Sequence, residues 1–577
     1  MSKDYYSRSE RFIPRSGKSV EVVLTIDKKE CVYAPLKDIS NTGLSCLTWS
    51  LPESVYSGLV FSDIALRLDD KILSFGKGVT KRLQRMFFND DTLRVHDIGI
   101  RFAILGNEIL KKASEYLQPV GYVASELVSY EDDSIDLKDD KLSNISIADF
   151  RDLKSYDIFD KCKAFYEYVK KVQRKGLYQS MFRVTLTSPI DHRVTIFNPL
   201  KRCEQEILCF DSNSYFCLHR HPRVVRAAIQ TIEKMGVGTP SAQLLSGTNR
   251  YLRELEEELC DFHKREDAIV FPSGFAANLG TITALVRSND LIVRDRFVHA
   301  SIHEGCRATK SKFIRVYPHN DMQALERIIN SAEGHGCNGK MIISDGIFSM
   351  HGRLAPLPEL VEIAKKYKAK LMIDDAHGLG VIGPTGGGIE EHFNMIGAAD
   401  VLMGTLSKVL GGIGGYVCGS KDLIYYLRFF AASGFFTTAL PAATCASLTE
   451  ALKVIKEEPH HRHKLWHNLW RLWRGLYDAG LIVSEPDSAI LTVFMGSMNL
   501  MFKFSRELFD LGIKCGSVAY PAVPKQESIL RWTLCSTHTD EDIDRAIEAC
   551  RIIGKRFGML GKTPEEIQEL GNSFEEA

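Results

Sequence analysis

The chain of 577 residues is longer than one ordinary core supports, and at roughly 100–200 residues per domain two or three units are expected. Its 73 lysines and arginines balance 73 aspartates and glutamates, which removes any charge argument for a nucleic-acid or membrane partner. The 14 cysteines include no C-x-x-C pair, which argues against a disulfide framework or a zinc site; free thiols, a cytoplasmic location and no metal are the expectation. The opening MSKDYYSRSERF is polar and carries no apolar h-region, so no secretory leader is expected. The most apolar long stretch, near Val401–Cys418, is glycine-rich and contains a lysine, so it reads as core and loop rather than a transmembrane segment.

Residues 6–117 read as a β-rich module. GKSVEVVLTI alternates apolar and polar side chains as a half-buried strand does, and DIGIRFAIL reads as another strand. Arg11 and Arg15 flank FIP, and Asp38, Ser40 and Gly43 follow in DISNTG. Arginine forks suit phosphate oxygens and the O6/N7 edge of guanine, Asp38 and Ser40 suit guanine contacts, and Gly43 leaves room for close approach to the backbone. These motifs resemble the R-x-x-x-R and D-x-S-x-x-G pair of the PilZ domain, a β-barrel that binds cyclic di-GMP. The resemblance implies a cyclic di-GMP site at Arg11, Arg15, Asp38, Ser40 and Gly43, with GIRF in the barrel's closing strand. Residues 118–156, with the run YEDDSIDLKDD, read as an acidic linker.

From about Asp157 the texture changes to helices alternating with short apolar strands. HPRVVRAAIQTIEKMG has the helical period and stops at Gly236; NRYLRELEEELCDF puts Leu252, Leu255 and Leu259 on one face. DAIVF, KMIIS and KLMID are β-capable and are followed by glycine and polar residues. This is the pattern of an α/β domain with a mostly parallel sheet, whose ligands sit beyond the carboxyl ends of the strands. Helices and the strand-like SAILTVFM after Tyr416 suggest a smaller C-terminal subdomain. Residues 561–577 read as an acidic tail, a peripheral helix or frayed.

Four strand ends carry a coherent set of residue types. Gly274 and Phe275 open a helix after DAIVF, where backbone N–H groups can meet an anion. His299 follows LIVRDRFV. Asp374-Asp375-Ala376-His377 ends KLMI, where a buried acid needs a cation or donor such as a protonated pyridine nitrogen. Lys408 lies in GTLSKVLGGIGGY, an apolar setting that lowers an amine's pKa as imine formation requires, with Thr405 and Ser407 as compact donors.

In this order FPSGFAANLG, HASIHEG, YPHND, DGIFSMHG, DDAHGLGVIG, GTLSKVLGGIGGY, FTTALP and LRWTLCSTHTDEDID resemble the α-oxoamine synthases, fold-type-I pyridoxal phosphate (PLP) enzymes, over residues 157–560. The resemblance implies that Lys408 holds PLP as a Schiff base and moves protons, Asp374 pairs with the pyridine nitrogen, His299 stacks on the ring and His377 meets the phenolate. It places Gly274, Phe275 and Thr405 at the phosphate and Ser349 near the ring. Arg531 falls at the substrate carboxylate, Asn213 matches a substrate-binding active-site asparagine, and Thr437 reaches the phosphate from the second subunit of a homodimer. The implied substrates are an amino acid and an acyl-CoA.

RKGLYQSMFR and HASIHEGCRATKSKFIRVYPHND lean toward the bacterial serine palmitoyltransferase-like branch, so serine is the favoured amino acid. A lipid product makes a peripheral place at the inner membrane face a further expectation. Glycine C-acetyltransferase and 8-amino-7-oxononanoate synthase activity are the alternatives. An aminotransferase or lyase on the same fold, or an inert cyclic di-GMP receptor, stand further off. Three departures bear on substrate choice: Gln243 and Leu252 replace the family's usual arginine and histidine, and Val-Leu-Gly-Gly follows Lys408.

Overall fold

The computed structural model describes strands between Phe12 and Pro119, short stretches from 145, and residues 157–174, 182–198, 203–333 and 336–576. It divides into two units, Met1–Asp133 and Ser134–Ala577.

In the first unit the strands are β1 (Phe12–Pro14), β2 (Val20–Ile26), β3 (Lys29–Ser40), β4 (Gly43–Thr48), β5 (Val60–Leu68), β6 (Lys71–Phe87), β7 (Arg94–Phe102) and β8 (Leu117–Pro119). They pair antiparallel in the order β2-β5-β6-β7-β4-β3, and β2 also pairs with β3. That last pairing joins the two ends of the row, which leaves those six strands without a free edge. Both strands expected from the sequence, VEVVLTI and the GIRF stretch, are present as β2 and β7. Phe12 of β1 lies opposite Ile39, and Ser40 opposite Gly43. Arg11, Arg15 and the acidic run at 130–140 lie outside the described residues.

The second unit is built on a seven-stranded sheet: β11 (Asp267–Phe271), β12 (Leu291–Asp295), β13 (Phe313–Tyr317), β14 (Lys340–Asp345), β15 (Lys370–Asp374), β16 (Val401–Thr405) and β17 (Gly415–Gly419). Their order is β11-β17-β16-β15-β14-β12-β13, with β17 antiparallel to both neighbours and the rest parallel. β11, β12, β16 and β17 are buried along their whole length, which explains their unbroken apolar texture. The helix Pro222–Met235 ends at Gly236, with φ 77°, and the helix Arg250–His263 buries Leu252, Leu255 and Leu259 against the core, as its period requires.

A five-stranded sheet forms the smaller lobe: β9 (Arg193–Asn198), β10 (Cys203–Phe210), β18 (Ile490–Gly496), β19 (Ile513–Val518) and β20 (Ser528–Thr533), ordered β18-β20-β19-β10-β9. The sequence reading assigned this lobe to the segment after Tyr416 alone. The structure corrects that, because β10 pairs parallel with β19, Leu208 opposite Ile513, across the whole large sheet in sequence. The C-terminal helix Pro564–Glu576 is docked rather than frayed, with Ile567 buried in the main core. Among the described residues no helix is long and apolar enough to cross a membrane.

Candidate active site

The carboxyl ends of the parallel strands converge on a cavity of about 230 Å³. Its lining includes Gly274, Phe275, His299, Ser349, Asp374, His377, Thr405 and Lys408, so eight of the sequence-derived positions meet in one place. The sheet explains the convergence. Asp345 and Asp374 stand opposite each other at the ends of β14 and β15, Asp374 faces Met403 on β16, and Thr405 ends that strand three residues before Lys408.

Local packing fixes each group. The helix Gly274–Leu285 begins at Ser273, whose side chain accepts the Ala276 N–H, leaving the first N–H groups of the turn pointing outward. A Cβ at Gly274 would crowd Thr405 Oγ1 at 3.2 Å, and one at Gly415 would meet Gly274 Cα at 2.6 Å. Thr405 Oγ1 lies 2.9 Å from Ser407 Oγ and donates to the Gly414 carbonyl at 3.1 Å.

Asp374 and His299 are tied through two residues that sequence reasoning passed over. Asn278 Nδ2 donates to Asp374 Oδ2 at 2.7 Å and to Ser301 Oγ at 2.8 Å, and Ser301 Oγ lies 2.7 Å from His299 Nδ1. The Ser301 N–H also donates to His299 Nδ1, so the ring's proton sits on Nε2. Asn278 and Ser301 were visible only as polar letters inside helical motifs. Asp345 was missed as well, although it ends a strand; it accepts the His299 N–H at 3.1 Å.

The electrostatics suit an amine that must lose a proton. Burial lowers Lys408 to about 8, against the pull of Asp374 and Asp345 and with help from Arg531. Burial and the Asp374 charge raise the Asp345 carboxyl well above its usual range. His377 is held well below the ordinary imidazole value by burial and by the Lys408 charge. Its Nδ1 lies 2.6 Å from Tyr215 Oη, whose own burial pushes it up to about 12, so this contact joins two neutral groups at neutral pH. Asp375, the second acid of the pair, turns away from the cavity and accepts the Ile389 N–H at 2.8 Å; burial raises its carboxyl well above the usual range.

Arg531 is buried on β20 and oriented by three hydrogen bonds that leave one N–H on each Nη for a ligand: Nε donates to the Ser349 carbonyl at 2.7 Å, Nη1 to Thr533 Oγ1 at 2.8 Å and Nη2 to Asn213 Oδ1 at 3.2 Å. It thus joins Asn213 and Ser349 beside the cavity. A second cavity of about 580 Å³ shares Ser407 with the first and adds Asn213, Arg183 and Lys514 to an apolar wall of Val184, Leu186 and Ile190. Thr437 is not among the residues lining either cavity. Gln243 donates to the Val270 carbonyl at 2.7 Å, and Leu252 is core, so both departures are absorbed by packing.

The donor set fits PLP: a depressed lysine, a hydrogen-bonded carboxylate across from it, a histidine on one face and a helix N-terminus with small hydroxyls for a phosphate. Fold and site together define a fold-type-I PLP-dependent transferase. Residues 205–550 match the family described as aminotransferase class I and II. An 8-amino-7-oxononanoate synthase of Thermoanaerobacter pseudethanolicus is 37% identical over 68% of this chain and 97% of that protein. The 4-hydroxy-2,2'-bipyrrole-5-methanol synthase PigH of Serratia is 36% identical over 70% of this chain, which spans 61% of that longer protein. A variant of the serine palmitoyltransferase from S. paucimobilis, solved with a bound PLP–myriocin aldimine, superposes with a TM-score of 0.66 at 27% identity, covering 70% of this chain and all of that one. The chain belongs to the class I and II aminotransferase family, and within it to the PLP-dependent α-oxoamine synthases, which are acyltransferases.

Proposed function

We propose that residues 157–560 condense an amino acid, serine in preference, with an acyl-CoA to give an α-amino ketone. The observation that carries this reading is the cavity in which Lys408, Asp374, His299 and the Gly274 helix terminus converge beside Arg531. In the net reaction the α-carbon bonds to the acyl carbon, the thioester C–S bond breaks, CoA leaves as the thiol, and the carboxylate departs as CO₂. PLP supplies the electron sink for the α-carbon. Lys408 would attach the cofactor and, as a free amine, would take the α-proton. Asp374 would pair with the pyridine nitrogen, His299 would contact the ring, and His377 would meet its phenolate oxygen. Gly274, Phe275 and Thr405 would hold the phosphate, joined by Thr437 from the second subunit of a homodimer. Arg531, pre-oriented by Asn213 and the Ser349 carbonyl, grips the substrate carboxylate as a fork. The apolar wall of the neighbouring cavity accommodates the acyl chain.

The N-terminal unit is proposed as a PilZ domain that senses cyclic di-GMP. Its support is the six-strand closure and the register that sets Phe12, between the two arginines, against Ile39, between Asp38 and Ser40. A second reading, 8-amino-7-oxononanoate synthase-type chemistry with alanine, draws on the higher identity to those relatives. The test is release of CoA thiol with serine, glycine or alanine against acyl-CoAs of increasing length. Serine-dependent release that Lys408→Ala abolishes is expected. Alanine-only release with pimeloyl-CoA establishes the second reading, and no release with any pair overturns both.

A further inference from the structure

Away from the catalytic cavity, three imidazoles crowd one carboxylate oxygen. Glu458 caps the C-terminus of the helix Ala442–Glu457. His461 stands in the first turn of the next helix, His460–Asp478, and His221 caps the helix Pro222–Met235. His461 Nε2 and His221 Nε2 lie 3.4 and 3.5 Å from Glu458 Oε2, and His460 Nε2 lies 3.9 Å away. One ligand atom from each of His221, Glu458 and His461 falls within 4.8 Å of the others.

The spacing decides between two explanations. A charge-assisted imidazole–carboxylate hydrogen bond runs about 2.7–2.9 Å. These contacts are longer, and His461 Nε2, a buried nitrogen, has no hydrogen-bond partner. Ligands about 2.0–2.1 Å from a tetrahedral ion are separated from one another by about 3.3–3.4 Å. The observed N···O distances match that edge. The other carboxylate oxygen, Oε1, faces Arg223 at 3.5 Å, whose charge is already met by Glu450 and Glu457. We propose that His221, His461 and Glu458 form a zinc-class metal site, with the exposed His460 or water in the fourth position. The ligand set of two nitrogens and a carboxylate with one open position suits zinc.

The site lies behind the substrate machinery. His461 stacks on Phe216 at 5.8 Å, and its Nδ1 is 3.5 Å from Ser536 Oγ. Ser536 N–H donates to the Tyr215 carbonyl, and Tyr215 holds His377. A bound ion therefore braces the turn carrying Asn213 and Tyr215. It takes no part in the chemistry.

A second cluster, Cys217, Cys535 and Asp191, is the competing location for a soft ion, but Asp191 already accepts from Thr537 and His192 and pairs with Arg220. X-ray absorption at the zinc edge of the zinc-loaded holoenzyme separates the two. Nitrogen and oxygen neighbours with imidazole scattering are expected; sulfur neighbours overturn the proposal. In parallel, zinc affinity by competition with a chelating dye should fall roughly tenfold or more in His461→Ala and Glu458→Gln and stay unchanged in His463→Ala. Equal affinity in all four proteins also overturns it.

Discussion

In its proposed role Lys408 attaches the cofactor only after it sheds its proton. Its value of about 8, against an ordinary 10.5, raises the free-amine share at neutral pH roughly 300-fold. The same shift sets a pH dependence for the cofactor-free protein. Between about 8 and 10.5 the unfolded chain holds a proton on this amine that the fold has released, so stability rises with pH across that window. Below about 8 the buried charge weighs against the fold. Covalent PLP attachment to cofactor-free protein, trapped by borohydride and read by mass, is expected to accelerate up to about pH 8 and then level off. Acceleration continuing to pH 10.5 would show an unperturbed lysine. At this scale much of the site was legible. Lys408, Asp374, His299 and His377 stand at strand ends, where an α/β sheet collects its chemistry, and all four line the cavity. Asn278 and Tyr215 were not legible, because Asp374 and His377 lie 96 and 162 residues away from them, and Ser301, though next but one to His299, meets Asn278 23 residues off, which nothing in the local pattern marks.

Among the elements, the β16–β17 pair carries a strict requirement for glycine. Gly404 faces Tyr416 in register, and a Cβ there would come within 2.2 Å of the tyrosine ring. The ring is pinned, since Tyr416 Oη lies 2.8 Å from His263 Nε2 in the buried interior. Gly404→Ala is therefore expected to lower unfolding free energy by about 1–3 kcal/mol or more, the range for overpacking a rigid core. Gly238, whose Cβ would meet nothing within 4 Å, is the control, and its alanine variant should leave the midpoint of chemical denaturation essentially unchanged. Equal midpoints for both variants would mean that the tyrosine moves freely. The elements themselves were readable locally: the short apolar runs DAIVF, KMIIS and KLMID became β11, β14 and β15, and the helical period that put Leu252 on one face became core. The partner of β10 was not, because strand pairing between Leu208 and Ile513 depends on packing that no local window contains.

For the whole molecule the prediction concerns the proposed cyclic di-GMP input to the N-terminal unit. If the N-terminal unit is a PilZ domain, calorimetry on the full chain should detect cyclic di-GMP binding that Arg11→Ala with Arg15→Ala abolishes. Serine-dependent CoA release should then change on addition of the nucleotide in the parent chain and not in the double variant. Heat of binding retained by the double variant removes these arginines from the site.

By itself the sequence determined the class of chemistry and most of the elements. Strand period, strand-end residue types and motif order are local properties, written within a few residues of one another. Only the tertiary structure decided what lies between distant segments: the smaller sheet that recruits β10, the Arg531–Asn213–Ser349 junction, the Tyr215 contact behind His377, and the histidines gathered on Glu458. The sheet pairing, the Arg531 junction and the Tyr215 contact join segments 162 or more residues apart, so a local window shows the motif residues without showing which of them meet. The scattered cysteines had argued against a metal; His461 reaches Glu458 within one turn of chain, whereas His221 comes to the same carboxylate only through the packing of its distant helix.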